Sequence, residues 1–322
     1  MNAASTPELS IVVPLFNEEE SLPLLVEKLL AALRPLGRGF ELVLVDDGSS
    51  DGTAAVLREL AATTPELVAV LLRRNYGQTA AMAAGFATST APVIVTLDGD
   101  LQNDPADIPL LLDQLERDQL DLVSGWRHQR QDNRVSRLLP SLLANRLIAR
   151  VTGVRLHDYG CSLKAYRREL IDDLNLYGEL HRFLPALAAI EGARISEVVV
   201  HHEPRRYGQS KYGIDRTFRV LMDLLTVWFI KRFLTKPMHG FGLWGLAAIG
   251  VGVAINLWLL GLKLVNHASI GTRPLLMVGV LAILSGIQLL CFGLLAELQM
   301  RTYHESQGRP IYRVRETLRG SG

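Results

Sequence analysis

Between residues 9 and 127, five short apolar runs break off abruptly into polar residues, and each gap between the earlier ones can hold one helix. The runs cover residues 9–16, 41–45, 68–72, 93–97 and 121–125. Near-continuous Val, Ile and Leu is what a strand buried on both faces requires. Strands alternating with helices through short loops predict an α/β fold, with a mainly parallel, Rossmann-like sheet and helices on both faces. The first helix is predicted to start with Asn17 as N-cap and Glu20 closing a capping box, and to run to about Leu36 before Gly37 and Gly39. Asp104 and Pro105 read as the N-cap and first residue of a later helix. Neither G-x-G-x-x-G nor G-x-x-x-x-G-K-[ST] follows any of these strands, so phosphates must be met by a metal and by cations.

In an open α/β sheet, ligands bind beyond the carboxyl ends of the strands. This chain places carboxylates there twice: Asp46 and Asp47 after the second run, Asp98 and Asp100 after the fourth. Gly99 is expected to bend the backbone so that both of its neighbours converge on one hard cation. Two carboxylates leave coordination positions open, and Mg²⁺ or Mn²⁺ commonly fills those with diphosphate oxygens. The competing reading of each acidic pair is ordinary turn chemistry.

The 322 residues are 48% hydrophobic, high for a wholly soluble enzyme, so apolar sequence must be concentrated somewhere. It lies near the C-terminus. Residues 241–262 and 275–297 form two stretches of membrane-spanning length, with Glu297 at the very end of the second. Lys231, Arg232 and Lys236 precede the first stretch and five arginines from Arg301 to Arg319 follow the second, against Lys263 and Arg273 between them. By the positive-inside rule both termini are cytoplasmic. Asn256, Gln288 and Gly242, Gly245, Gly250 and Gly252 suit helix packing or oligomer contacts.

Two further segments read as interfacial helices, one at about 137–151 with Arg146 and Arg150 outside its leucine face, the other at 213–236. The segment 300–322 reads as a polar, basic, mobile tail. The net charge of +1 gives no argument for a nucleic-acid partner. Cys161 and Cys291 do not suggest a disulfide, and the N-terminus has no apolar signal region.

The stretches VVPLFNEEESL, LVDDGSSDGT, RRNYGQTAAM and LDGDLQNDP occur in that order. Together they resemble the inverting nucleotide-sugar glycosyltransferases of the GT-A fold. DYGCSLKAYRR and RRYGQSKY, at residues 158–168 and 205–212, further resemble the polyprenyl-phosphate glycosyltransferases of the dolichyl-phosphate mannose synthase type. The resemblance implies a catalytic domain over residues 1–212, an interfacial helix over 213–236, a two-helix transmembrane hairpin within 237–299 and the tail beyond.

It also implies roles. Pro14, Glu18, Asp46 and Gln78 fall in the nucleotide-sugar pocket with Asp98, while Asp98, Asp100 and Gln102 correspond to the metal cluster. Arg205 and Lys211 lie on a loop that closes over the diphosphate, and Arg127, Arg130 and Arg134 meet the acceptor phosphate. Asp100, Asp158 and Arg127 carry the chemistry, Asp158 being a base, a neighbour of the metal or an anchor for Arg127. Glu18 retains a second reading as a partner of the helix dipole, and Asp47 as a turn cap.

The implied reaction moves a sugar from a UDP-sugar to the phosphate of a membrane polyprenyl phosphate, with Mg²⁺ or Mn²⁺ as cofactor, at the inner or plasma membrane. Glucose is the favoured sugar and undecaprenyl phosphate the favoured acceptor. A 4-amino-4-deoxy-arabinose, N-acetylglucosamine or mannose donor is the alternative, and a homo-oligomer is expected. Two other readings are a processive polysaccharide synthase, disfavoured because no Q-x-x-R-W occurs, and a non-catalytic membrane scaffold.

Overall fold

The computed structural model describes residues 6–128, 156–172, 180–190, 192–204, 237–266, 273–306 and 312–320. The expected interfacial helices, and Arg130, Arg134, Arg205 and Lys211, lie outside the described residues. The chain divides into two compact units, residues 1–227 with 310–322, and residues 228–309.

The first unit is built on an eight-stranded sheet of order β7-β5-β6-β4-β1-β2-β3-β8. Its strands are β1 (Leu9–Leu15), β2 (Phe40–Asp46), β3 (Leu67–Leu72), β4 (Val93–Thr96), β5 (Leu122–Trp126), β6 (Lys164–Arg167), β7 (Ile195–Val199) and β8 (Val314–Arg319). The four central strands β4-β1-β2-β3 run parallel, as their apolar character predicts. β7 is parallel to β5, while β6 runs antiparallel between β4 and β5. The sheet is therefore mixed at its flanks.

Alternate residues of each strand feed opposite cores. Ile11, Val13, Leu42 and Leu44 pack under α1 (Leu22–Leu33), α2 (Thr53–Thr63) and α4 (Ile108–Arg117). Val12, Val43 and Val45 face the other way, with α3 (Gln78–Thr88) and α6 (Leu184–Ile190). A short helix, α5 (Arg168–Asp172), continues directly from β6. At Gly85 a Cβ would overlap the Val12 side chain, so α3 lies closely on the sheet because that position is glycine.

Two helix starts differ from expectation. α1 begins at Leu22 behind Ser21, with no side-chain cap, instead of behind Asn17. Asn17 takes a left-handed φ of 56°, and its Oδ1 accepts from the Ser50 N–H at 2.9 Å. That bond to the neighbouring loop competes with helix capping and wins. Asp104 does cap, accepting from the Ala106 N–H at 3.1 Å, but what it starts is a 3₁₀ turn, Pro105–Asp107, that leads into α4.

The expected free tail also differs. Val314–Arg319 form β8, antiparallel on the open edge of β3, with Leu318 packed against the core and Arg58 of α2 paired to Glu316 at 2.7 Å. Backbone hydrogen bonding and one apolar side chain suffice to order a strand that reads as polar.

The second unit consists of α7 (Pro237–Asn266) and α8 (Pro274–Ser306), helices long and apolar enough to cross a membrane over Gly242–Val265 and Pro274–Leu295. Glycines bring them together. A Cβ at Gly245 would lie 2.8 Å from the Gly286 carbonyl, and one at Gly252 would lie 2.5 Å from the Gly279 carbonyl. Gly250 faces open space instead.

Candidate active site

The loops after β1, β2 and β4 and the start of antiparallel β6 meet at one end of the sheet, because Thr96 of β4 pairs with Lys164 of β6. The first two loops are stitched together. Asn17 N–H donates to Ser49 Oγ at 2.8 Å, Glu18 N–H donates to Thr53 Oγ1 at 2.9 Å, and Glu19 Oε2 accepts from Gly52 N–H at 2.9 Å. Glu18 Oε2 accepts from Ser21 Oγ at 2.5 Å. Buried Asp46 accepts from Ser49 N–H at 3.0 Å, which shapes the turn that follows β2. Asp47 accepts from the N–H groups of Tyr76 and Gly77 at 2.8 and 2.9 Å. Burial raises its pKa above the ordinary carboxylate value although both amides oppose the shift. Of its two readings the structure supports a structural tie: Asp47 fastens the loop after β2 to the loop after β3.

Asp98 and Asp100 are both at the end of β4, with Asp100 buried. Gln78 Nε2, from the first turn of α3, donates to Asp98 Oδ1 at 2.7 Å, so two residues expected in one pocket are in direct contact. Asp98 N–H donates to Ser162 Oγ at 3.2 Å, and Asn103 Nδ2 donates to the same oxygen at 2.7 Å. Burial, reinforced by the charge of Asp100, raises the pKa of Asp98. A divalent cation would relieve that repulsion, and its remaining positions would stay open to phosphate oxygens. No third His, Cys, Asp or Glu joins the pair among the described residues. The donor set thus fits Mg²⁺ or Mn²⁺ shared with a substrate. Gln102 contributes through its backbone, its N–H donating to Asp100 Oδ1 at 3.2 Å and its carbonyl accepting from Glu203 N–H at 2.9 Å.

The left-handed residue of this loop follows the two acids rather than separating them. Gly99 does not have a left-handed φ; Leu101 does, at 61°. A side chain at 99 would have to displace Leu15, because its Cβ would lie 2.5 Å from Leu15 Cδ2.

Arg127 and Asp158 form a nearly buried two-point ion pair, with side chains 13% and 6% exposed. Arg127 Nε donates to Asp158 Oδ2 at 2.7 Å and Nη2 donates to Oδ1 at 3.0 Å. Gly160 N–H adds a bond to Oδ1 at 3.1 Å. Burial works against the Arg127 charge, but the hydrogen bonds and charge of Asp158 outweigh it and hold the guanidinium above its ordinary pKa. Both carboxylate oxygens of Asp158 are engaged, which favours the anchor over the base among its three readings.

Four residues of this site had no role in the sequence reading. Ser162 bridges β4 and its loop, its carbonyl accepting from Thr96 Oγ1 at 2.8 Å. Lys164 is buried, and its Nζ donates to the Cys161 carbonyl; burial lowers its pKa, against the pull of Asp158 and Asp98. Tyr166 is fully buried, and His181 is hydrogen-bonded through Nδ1 to Thr79 Oγ1 at 2.7 Å. Lys164 and Tyr166 alternate with Ala165 along β6, so they share a face, a signal present in the sequence. Nothing local links Thr79 to His181. A cavity of about 60 Å³ lies between these groups and Asp98, with Pro14 and Gln78 also on its wall.

A carboxylate pair beyond the carboxyl end of a parallel strand, with a buried lysine and an anchored arginine beside it, suits the binding of a metal-bound diphosphate on a sheet of the GT-A kind. The comparisons are specific: residues 10–174, about half of the chain, match the model of glycosyl transferase family 2, and the chain belongs to that family. It is a glycosyltransferase. A dodecaprenyl-phosphate galacturonate synthase of Rhizobium johnstonii is 49% identical over 312 residues, 96% of this chain and 92% of that protein. An undecaprenyl-phosphate 4-deoxy-4-formamido-L-arabinose transferase of Aeromonas hydrophila is 37% identical, covering 100% of this chain and 97% of that one. Among solved structures, glucosyl-3-phosphoglycerate synthase of Mycobacterium tuberculosis with Mn²⁺, UDP and glucosyl-3-phosphoglycerate aligns with a TM-score of 0.52 at 19% identity. That match covers 70% of this chain and 80% of the other, and it supports the fold.

Proposed function

We propose that this protein transfers a glycosyl group from a UDP-sugar to the phosphate of a membrane polyprenyl phosphate, and that its sugar is galacturonic acid. The observation that carries this reading is the 49% identity, over nearly the whole of both chains, to the Rhizobium galacturonate synthase. Glucose, the sugar favoured on sequence alone, gives way to a uronic acid for that reason. The formamido-arabinose relatives, at 37–40% identity, share the class of acceptor.

In the proposed mechanism Pro14, Glu18 and Asp46 line the nucleotide pocket, on the two loops stitched to one another. Asp98 and Asp100 would hold Mg²⁺ or Mn²⁺, and Gln78 fixes the orientation of Asp98. The cation supplies neutralisation of the charge that develops on the departing diphosphate. An oxygen of the acceptor phosphate forms a bond to the anomeric carbon as the bond from that carbon to the UDP oxygen breaks, which inverts the centre and releases UDP. With a second phosphate pKa near 6, the attacking oxygen is already mostly ionised at neutral pH, so no proton needs to move. Arg127, held by Asp158, offers its charge to the acceptor phosphate against the repulsion of two anionic substrates. Arg130, Arg134, Arg205 and Lys211 belong to the same proposal, the first two with Arg127 and the last two closing over the diphosphate. The two apolar helices would hold the enzyme in the inner membrane, with the catalytic unit and both termini cytoplasmic.

The test is a transfer assay in detergent with undecaprenyl phosphate, Mg²⁺ or Mn²⁺, and radiolabelled UDP-galacturonate. Label extracted into organic solvent, lost with EDTA and in Asp100→Ala, is the expected result. Label that enters the lipid phase from UDP-glucose alone would overturn the choice of sugar, and none from any donor would overturn the reaction.

A further inference from the structure

The cavity beside Asp98 holds two buried donors that the machinery above does not use. Lys164 and Tyr166 project from the same face of β6 and both line it. Lys164 has three N–H donors, and among the described residues its hydrogen bond is to the Cys161 carbonyl alone. The Tyr166 hydroxyl is completely buried and, among the described residues, makes no hydrogen bond of ordinary geometry; Thr96 Oγ1, beside it on the paired strand, donates to the Ser162 carbonyl. Buried polar groups are almost always satisfied, so donors left unspent at the wall of a cavity indicate an acceptor that arrives with a ligand. His181, hydrogen-bonded to Thr79 of α3, contributes to the same wall from the 3₁₀ turn Leu180–Phe183.

The size of the cavity limits what the acceptor can be. About 60 Å³ is room for a few water-sized positions, enough to seat one substituent of a sugar. Its chemistry limits it further. An ammonium and a phenol together match an anionic group with two oxygens, and a charge-assisted bond to a buried lysine is stronger than any bond to a neutral hydroxyl. The cavity reaches Asp98, where the diphosphate end of a donor would be held, so the substituent belongs to the sugar attached to it.

We infer that Lys164 and Tyr166 read the carboxylate of a uronic acid donor and so determine the sugar this enzyme accepts. The inference rests on the proposed galacturonate reaction and adds the residues that select it. A site built around such a pair discriminates through what is left unpaired. A donor with CH₂OH in place of the carboxylate leaves the buried ammonium without its counter-charge, and the penalty is paid on every turnover.

The decisive measurement is the ratio of kcat/KM for UDP-galacturonate to that for UDP-galactose, using the full chain in detergent with undecaprenyl phosphate fixed. The wild-type ratio should be large, and Lys164→Met should reduce it about tenfold to a hundredfold. Tyr166→Phe removes only the hydroxyl and should fold normally, so it keeps the test valid if Lys164→Met is unstable; its ratio should fall about threefold to tenfold. UDP binding by each variant reports whether the nucleotide pocket has folded. A ratio unchanged in folded Tyr166→Phe and Lys164→Met overturns the inference while leaving the reaction intact. Equal losses for both donors would assign the pair to the acceptor phosphate and also overturn it. A wild type that does not use UDP-galacturonate overturns the proposed donor, and the inference with it.

Discussion

Asp158→Asn separates a positioning role from a catalytic one. The substitution keeps the shape of the side chain but removes the charge opposite Arg127, whose side chain is only 13% exposed. It also turns an amide N–H₂ towards at least one of the donors now bound at 2.7–3.1 Å. Breaking a buried pair from one side costs about 3–5 kcal/mol, because the remaining charge is left uncompensated. For a folded body of roughly 240 residues, at about 2–4 °C per kcal/mol, the melting temperature should fall by about 6–20 °C. Intrinsic fluorescence is a suitable probe, since Trp126 precedes Arg127 and its ring stacks on His157 at 4.2 Å. Transfer activity should fall together with stability, as Arg127 loses its fixed position. The double variant Arg127→Met with Asp158→Leu should regain most of the lost melting temperature, since apolar replacement of a buried pair is close to neutral, yet remain inactive. If Asp158→Asn instead melts within a degree or two of the wild type while transfer is abolished, the anchor argument is refuted and Asp158 acts on the reacting atoms.

Gly48→Ala should weaken UDP binding more than tenfold in a titration and lower the melting temperature. Gly48 sits at a φ of 65°, and an added Cβ would run into the Arg74 backbone, which cannot withdraw cheaply. The strain alone is about 1–2 kcal/mol. Gly252→Leu should destabilise the helical hairpin by about 1–3 kcal/mol, read as faster amide exchange in α7 and α8, because the Gly279 carbonyl occupies the required space. His201 donates its backbone N–H to Asp107 at 2.6 Å, and its ring meets the other carboxylate oxygen at 2.8 Å, which raises its pKa. A raised folded pKa means that this contribution is complete below about pH 6.5 and is lost as pH rises through the folded value. The melting temperature of the wild type relative to His201→Gln should therefore shrink with rising pH, and a difference that grows would contradict the pairing.

The central strands and the Asp98 and Asp100 pair were legible in the sequence because each follows from a local pattern. A parallel strand buried on both faces has to be an apolar run, and a carboxylate immediately after it has to stand at the ligand-binding edge. β6 was not legible: its four residues, KAYR, carry a lysine inward, and only the cavity explains why. β8 was missed because an edge strand needs backbone partners more than apolar side chains. Asn17 has the right chemistry for a cap, and the decision against it was made by Ser50, 33 residues away. The partnership of Thr79 with His181 spans 102 positions and has no period to betray it. Gly99 was singled out for a bend, whereas what a side chain there would meet is Leu15, which no inspection of the DGD triplet can show.

β8 also imposes a rule of parity on the rest of the chain. The strand that completes the sheet edge is made after α7 and α8, and it pairs with β3, which is made long before them. If the two helices cross a bilayer, the ribbon must come back to the compartment it left, so the crossings have to be even in number. An insertion in which one helix fails to cross would leave Val314–Arg319 on the opposite side and the β3 edge unpaired. Completion of the sheet would in this way report that both helices had crossed.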